Sequence, residues 1–121
     1  MSAGAWVGAV LLGGAGAVLR FRLDALVQES VGSELPLGTL TVNVVGSFCL
    51  GLLTGLSVTG DALFLAGTGL LGSFTTFSTA MLETERLAEE GEGRLAFVNV
   101  GLSLGAGVAA AAAGWALGAL V

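Results

Sequence analysis

Eight residues near the centre of a hydrophobic run hold the chain's most informative polar groups. They run from Gly72 to Thr79 and read Gly-Ser-Phe-Thr-Thr-Phe-Ser-Thr. Serine and threonine hydroxyls bond nearby backbone groups and so compete with the hydrogen bonds of a helix. In lipid, an interrupted helix is tolerated only where protein or a water-filled cavity surrounds it. The stretch therefore predicts a broken membrane helix beside an ion or substrate site.

Other polar side chains lie inside apolar runs, where each needs a reason because polar groups are costly in lipid. Asn43 either bonds a neighbouring helix or faces a pore, and the residues alone leave both open. Asn99 and Ser103 are one helical turn apart and share a face. The positive edge of the Phe77 ring can meet an anion, and Glu83 follows it along the same helix. Neutral donors and an aromatic edge, with no nucleophile beside a base, favour passive passage of a small ion over catalysis.

The composition excludes several classes of function. The chain has no histidine and a single cysteine, Cys49, which removes histidine-based catalysis, Cys/His zinc sites and a Ser-His-Asp triad. We interpret Cys49 as a small buried apolar residue. A net charge of −5 with only four basic residues offers no cluster of phosphate contacts, so nucleic-acid binding is not expected. The sequence thus predicts a protein that is not an enzyme.

The elements that must position these groups are membrane helices. The chain of 121 residues is 55% hydrophobic and 11% charged, with a mean hydropathy of +0.95, which is typical of a membrane protein. Its uncharged runs approach or exceed the ~20 residues that cross a bilayer. We expect an all-α, multi-pass protein of the cell membrane. One domain would span residues 1–121, with helices at about 3–27, 36–58, 62–88 and 94–120.

Local signals predict how these helices begin and how the bundle is oriented. Pro36 suits the first turn of the second helix, and Asp61 is expected to cap the third, which falters around residues 72–76. The first run starts without a basic region, so no cleaved signal peptide is expected. All four arginines lie towards one end, with Arg20 and Arg22 near one membrane face. The positive-inside rule then puts the first and last connecting loops in the cytoplasm.

Four motifs, in order along nearly the whole chain, resemble those of the Fluc (CrcB) family of small fluoride channels. Residues 13–21 read GGAGAVLRF, similar to the family's glycine-rich run that ends in GAxxR and an aromatic residue. Residues 36–48 read PLGTLTVNVVGSF, similar to PxGTLxVNxxGSF. Residues 72–79 read GSFTTFST, similar to GxxTTFST, with Glu83 following, and the last helix keeps Ser103. One such motif is a weak signal, whereas four in order at the right spacing are specific.

The resemblance implies a dimer of four-helix subunits that insert in opposite orientations and enclose two pores. Passive export of fluoride through them would lower fluoride toxicity in the cytoplasm. The resemblance also implies a structural sodium ion on the dimer axis, which is not transported. The main-chain carbonyls of Gly72 and Thr75 would hold it, since a hard cation prefers oxygen ligands. On the fluoride path the resemblance places Asn43, Phe77 and Ser103, with Thr76 and Ser78 nearby, Arg20 at a vestibule and Glu83 towards the other end.

Two positions depart from the family pattern and keep alternatives open. Ala80 stands where a second phenylalanine is usual, and Asn99 stands where an aromatic residue is usual. One alternative is therefore a pore-incomplete subunit that pairs with a paralogous chain, which supplies the missing ring. A small proton-coupled multidrug exporter is a further alternative. Such a protein needs a carboxylate within a span, usually in the first helix, and residues 1–19 contain none.

Overall fold

The computed structural model describes residues 2–121, whose regular structure is entirely helical. Four helical segments are long and apolar enough to cross a membrane, and the third of them is interrupted. We label the elements α1 (Ala3–Val31), α2 (Leu37–Gly55), α3 (residues 60–74), α4 (Ser78–Glu89) and α5 (Gly93–Leu120). The third span therefore consists of α3, the break and α4. The expected all-α, multi-pass membrane architecture is confirmed.

Helix α1 continues beyond Val27, where the sequence analysis ends the first helix. It ends at Val31, and Gly32 then takes the left-handed conformation, with φ of 63°, which glycine adopts without steric cost. The Oε1 atom of Gln28 accepts the Gly38 N–H at 3.1 Å. Residues 28–31, which the prediction leaves outside the first helix, therefore form a last helical turn that fastens α1 to the start of α2.

The connection from α2 to α3 also differs from the prediction. Helix α2 ends at Gly55, three residues before the expected 58, and Ser57 turns the chain with φ of 62°. Helix α3 begins at Gly60, so the N-cap position belongs to Thr59 and the predicted cap, Asp61, lies inside the first turn. A carboxylate in the first turn faces the positive end of the helix dipole, so Asp61 still favours a helix start here.

Helix α3 contains two kinds of helical hydrogen bonding. Gly60–Leu63 is α-helical, Phe64–Leu71 is a π-helix, and Gly72–Phe74 is α-helical again. At Thr75 the backbone becomes extended, with φ of −82° and ψ of 156°. The helix is thus interrupted at residues 75–77, which overlaps the predicted fault at 72–76. The π-helix was not predicted, and such segments are rare and favour functional sites.

Glycines let the four spans pack closely. At Gly16 on α1, an added Cβ atom would overlap the Leu70 carbonyl oxygen and the Ser73 hydroxyl on the third span. Close backbone approach at small residues is the usual way in which membrane helices associate. The glycines at which an added Cβ would overlap the opposite backbone between α2 and α5 are Gly51, Gly55, Gly114 and Gly118.

Candidate functional site

The Asn43 side chain holds the break in the third span. It projects from the middle of α2, and its Nδ2 donates to the Thr76 carbonyl while its Oδ1 accepts the Thr76 N–H, both at 2.8 Å. Of the two roles that the sequence left open, bonding to a neighbouring helix is therefore observed. The Nδ2 group carries two N–H donors, so the second donor of Asn43 stays available to a ligand.

These bonds leave two backbone carbonyls of the break free. In an unbroken helix, the Thr76 N–H would donate to the Gly72 carbonyl and the Thr79 N–H to the Thr75 carbonyl. Here the Thr76 N–H goes to Asn43, and the Thr79 N–H goes to the Thr76 hydroxyl at 3.2 Å. Within residues 2–121, no other hydrogen bond reaches either carbonyl oxygen. Two neutral oxygen atoms are thus open to a cation, which is the ligand chemistry that a hard cation prefers.

The Thr76 hydroxyl also stabilises the first turn of α4. Its Oγ1 accepts the Thr79 N–H and lies 3.1 Å from the Thr79 hydroxyl oxygen. A hydroxyl in this position satisfies one of the N–H groups that a helix start leaves without a partner. Thr76, which is predicted to lie beside the ion path, therefore also has a capping role at the start of α4.

Arg20 reaches the opposite side of the break. Its Nε donates to the Ser73 carbonyl at 3.3 Å, so its positive charge stands at the C-terminal end of α3, where the helix dipole favours a cation. Arg20 is predicted to lie near a membrane face, but this hydrogen bond puts its guanidinium against the break. Its charge is accordingly a weak guide to the orientation of the protein.

A cavity of about 510 Å³ opens beside the break. Phe77 stands in its wall with 74% of its surface exposed, so its ring has few packing partners within this subunit. The cavity brings residues with neutral donors, an aromatic ring and the two residues with free carbonyls to one surface. The predicted site residues that line it are Asn43, Gly72, Thr75, Thr76, Phe77 and Ser103.

Three predicted site residues lie outside the lining of this cavity: Arg20, Ser78 and Glu83. Ser78 is exposed at the start of α4. Glu83 lies beside Thr39 of α2, and the hydroxyl of Thr39 is close to the carboxylate of Glu83, although the buried atoms Glu83 Oε1 and Thr39 Oγ1 make no hydrogen bond of good geometry within residues 2–121. Buried polar atoms are nearly always satisfied, and a hydroxyl donor beside a carboxylate acceptor can satisfy both groups after a small side-chain rotation.

Ala80 and Asn99 are both buried, Ala80 in the lining of the cavity and Asn99 in the contact between α4 and α5. They are 4% and 3% exposed, and the Asn99 Nδ2 donates to the Thr84 hydroxyl at 2.8 Å. Thr84 in turn donates to the Ala80 carbonyl at 2.8 Å. The predicted shared face of Asn99 and Ser103 is therefore divided, since Asn99 ties two helices while Ser103 lines the cavity. Among the described residues, Phe77 is the only aromatic residue in the cavity lining.

Two polar residues of α2 had no assigned role in the sequence analysis. Ser47 lines the cavity with Asn43, and Thr39 lies beside Glu83. The three α2 residues follow one another at intervals of four, which places them on one helix face. This spacing is a signal that could have identified both from the sequence.

Residues 7–115 match the family described as "CrcB-like protein, Camphor Resistance (CrcB)". The chain is similar to fluoride-specific ion channel FluC 2 of Mycobacterium tuberculosis (strain ATCC 25618 / H37Rv), with 49% identity over 109 residues that cover 90% of this chain and 86% of that protein. It is also similar to FluC 2 of Mycolicibacterium paratuberculosis, with 49% identity over 116 residues, or 96% and 95% of the two chains. FluC 1 of Rubrobacter xylanophilus is 50% identical over 107 residues, or 88% and 86% of the two chains.

Proposed function

This chain belongs to the CrcB family, and we propose that it is a subunit of a fluoride-specific ion channel in the cell membrane. Membership bears out the resemblance of its four sequence motifs. Such a subunit is not an enzyme. It lets fluoride leave the cytoplasm down its electrochemical gradient and so lowers fluoride toxicity. The names of three relatives support fluoride as the transported ion.

The observation that carries the proposal is the break pinned by Asn43 beside a cavity that also holds Phe77 and Ser103. A small anion gives up its hydration shell only where hydrogen-bond donors replace it, and it passes on only if no site holds it too tightly. The free N–H of Asn43 and the Ser103 hydroxyl are neutral donors of this kind. The exposed edge of the Phe77 ring adds a weak positive surface.

The proposed fluoride path extends beyond the cavity at both ends. Arg20 would draw anions towards the vestibule with the guanidinium N–H groups that the Ser73 carbonyl does not use. Thr76 and Ser78 would offer hydroxyls at the start of α4. At the far end, Glu83 and the neighbouring Thr39 hydroxyl would offer polar groups to a water molecule that accompanies the ion.

We further propose a structural sodium ion held by the carbonyls of Gly72 and Thr75. Both oxygens are free of hydrogen bonds within residues 2–121, and both residues belong to the cavity lining. One subunit offers two such ligands, too few for sodium, whereas two subunits in opposite orientations would offer four at their shared axis. The proposed site therefore requires a dimer, and its ion would hold the two breaks together without being transported.

A second candidate is a pore-incomplete subunit that works with a paralogous chain. It is favoured by Ala80, which lines the cavity without a ring, and by the buried Asn99, so that Phe77 is the only ring in the cavity lining of the described residues. A homologous partner with an aromatic residue at the position of Ala80 would supply the second ring. The homodimer remains the first candidate because this chain contains every other element of the proposed path.

Fluoride efflux from liposomes that contain only this chain tests the proposal. Vesicles loaded with potassium fluoride and treated with a potassium ionophore are expected to release fluoride, and vesicles loaded with chloride are expected to retain it. Release should slow when sodium is replaced by a large organic cation. If vesicles with this chain alone release no fluoride and a paralogous chain restores the release, the second candidate is favoured. If the protein is inserted and no fluoride is released either with or without the paralogous chain, both candidates are overturned.

A further inference from the structure

The return from π- to α-helical bonding in α3 leaves one carbonyl without a backbone donor. The Gly72 N–H donates to the Gly67 carbonyl, five residues back, and the Thr75 N–H donates to the Leu71 carbonyl, four residues back. Between these two bonds lie three carbonyls, those of residues 68, 69 and 70, but only two N–H groups, those of residues 73 and 74. One carbonyl of the three is therefore left over.

The Ser73 hydroxyl stands where it can satisfy that carbonyl. Its Oγ lies 2.9 Å from the Gly69 carbonyl oxygen and 3.2 Å from that of Leu70. Helix α1 closes this side, since a Cβ atom added at Gly16 would overlap both the Leu70 oxygen and the Ser73 hydroxyl. Gly69 is buried, and a buried acceptor without a donor carries its full desolvation cost.

We propose that Ser73 is a positioning residue whose hydroxyl holds the π-helical register of Phe64–Leu71 and thereby fixes the carbonyls of Gly72 and Thr75. A π-bulge accommodates one residue more than an α-helix with the same ends. Without the hydroxyl, the segment removes the leftover carbonyl by returning to α-helical bonding. The Gly72 N–H then pairs with the carbonyl of Thr68, and the helix shifts against the break by one residue.

Ser73 is suited to this role because it is tied in two directions. Its hydroxyl bonds backward into the π-helical segment, while its own carbonyl accepts the Arg20 Nε at 3.3 Å. A shift in register would therefore strain the contact with Arg20 and turn the adjacent Gly72 carbonyl away from its place in the cavity wall. The consequence for ion binding rests on the sodium site proposed above, whereas the consequence for the register does not.

The test compares Ser73→Ala with Thr41→Val, a matched loss of a hydroxyl. The Thr41 hydroxyl donates to the Leu37 carbonyl at 2.7 Å, but that carbonyl already has the Thr41 N–H as its helical donor. For Ser73→Ala we expect the sodium concentration that gives half-maximal fluoride efflux to rise roughly tenfold, which corresponds to about 1.4 kcal/mol. Thr41→Val should leave it unchanged. A structure of Ser73→Ala in a lipid nanodisc should show the Gly72 N–H donating to the carbonyl of Thr68.

A compensating deletion keeps the proposal testable if Ser73→Ala folds poorly. Thr68 is exposed within the π-helical segment, and its removal takes out the extra residue. In the variant that combines Ser73→Ala with deletion of Thr68, an α-helix with one residue fewer joins the same two ends, so the break keeps its original position. Folding and the sodium response should therefore return to those of the wild type.

Three results separate the possible failures. Wild-type sodium response and intact π-bonding in Ser73→Ala would overturn the role of Ser73. The role of Ser73 would also be overturned if Ser73→Ala folds poorly and deletion of Thr68 fails to restore folding. Absence of fluoride flux or of a sodium effect in the wild type would instead defeat the proposed function, and the structure of the variant would still decide the register.

Discussion

Asn43 and Thr76 are 33 residues apart in the chain, yet the side-chain amide of one binds the peptide group of the other through two hydrogen bonds of 2.8 Å. Helix α2 thereby fixes the gap in the third span from outside that span. Only a side chain with a donor and an acceptor in the geometry of an amide can make both bonds. This pair joins the stability of the fold to the proposed ion path.

Asn43→Leu should reduce fluoride efflux at least tenfold and lower the free energy of unfolding. The substitution leaves the N–H and the carbonyl of Thr76 without partners, each at a cost of about 1–3 kcal/mol, and removes a donor from the cavity. Efflux from liposomes, normalised to the amount of folded protein, measures the first effect. Unfolding of the same preparation in detergent measures the second.

Asn99→Leu is the matched control for that experiment. Asn99 is a buried amide as well, but it bonds the Thr84 hydroxyl between α4 and α5, away from the break. Its loss should lower stability while efflux per folded molecule stays near the wild-type value. Equal efflux per folded molecule in the two variants would show that Asn43 contributes only stability.

Thr76→Val and Thr76→Ser separate the hydroxyl from the rest of the side chain. Thr76→Val removes the cap on the Thr79 N–H and should lower the free energy of unfolding by about 1 kcal/mol, with slower fluoride efflux because α4 no longer has a fixed start. Thr76→Ser retains the hydroxyl and should keep both quantities close to those of the wild type. Wild-type efflux in Thr76→Val would contradict the placement of this hydroxyl on the path.

The spans and the existence of a break could be predicted from the sequence because both depend on composition along a single segment. Long uncharged runs specify membrane helices, and a cluster of glycine, serine and threonine specifies where the third one fails. The predicted end of α1 at residue 27 was wrong, because a polar residue such as Gln28 is compatible with a helix that extends past the hydrophobic core. Only the αL conformation of Gly32 marks the true end.

The partners of the break could not be predicted, because they come from distant positions. Nothing near Thr76 indicates that Asn43 satisfies its peptide group, and nothing near Ser73 indicates that Arg20 binds its carbonyl. The π-helical segment Phe64–Leu71 also lacks a local signal, since an inserted residue changes hydrogen bonding without changing composition. The sequence indicates the π-helical segment only indirectly, through the hydroxyl of Ser73 that follows it.

Ser57→Gly should stabilise the protein without changing its transport. Ser57 is the only residue other than glycine in the described part of the chain with a positive φ, at 62°, and a left-handed backbone costs a residue with a Cβ atom roughly 1 kcal/mol. The free energy of unfolding should rise by about that amount less the greater entropy of glycine in the unfolded chain. Gly32→Ala, at φ of 63°, should shift it in the opposite direction, and a loss of stability in Ser57→Gly would contradict the strain.

Gly114→Ala should lower the free energy of unfolding and Gly105→Ala should raise it, although both glycines lie in α5. An added Cβ at Gly114 would overlap the Phe48 carbonyl oxygen of α2, whereas at Gly105 it would meet nothing within 4 Å in this subunit. Forcing a methyl group into the first position separates two packed backbones, and overpacking of this kind costs about 1–3 kcal/mol. In the second position alanine gains helix propensity of about 1 kcal/mol over glycine. Unfolding of the isolated subunit measures both, and loss of dimer formation by Gly105→Ala alone would show that this open face of α5 contacts the second subunit.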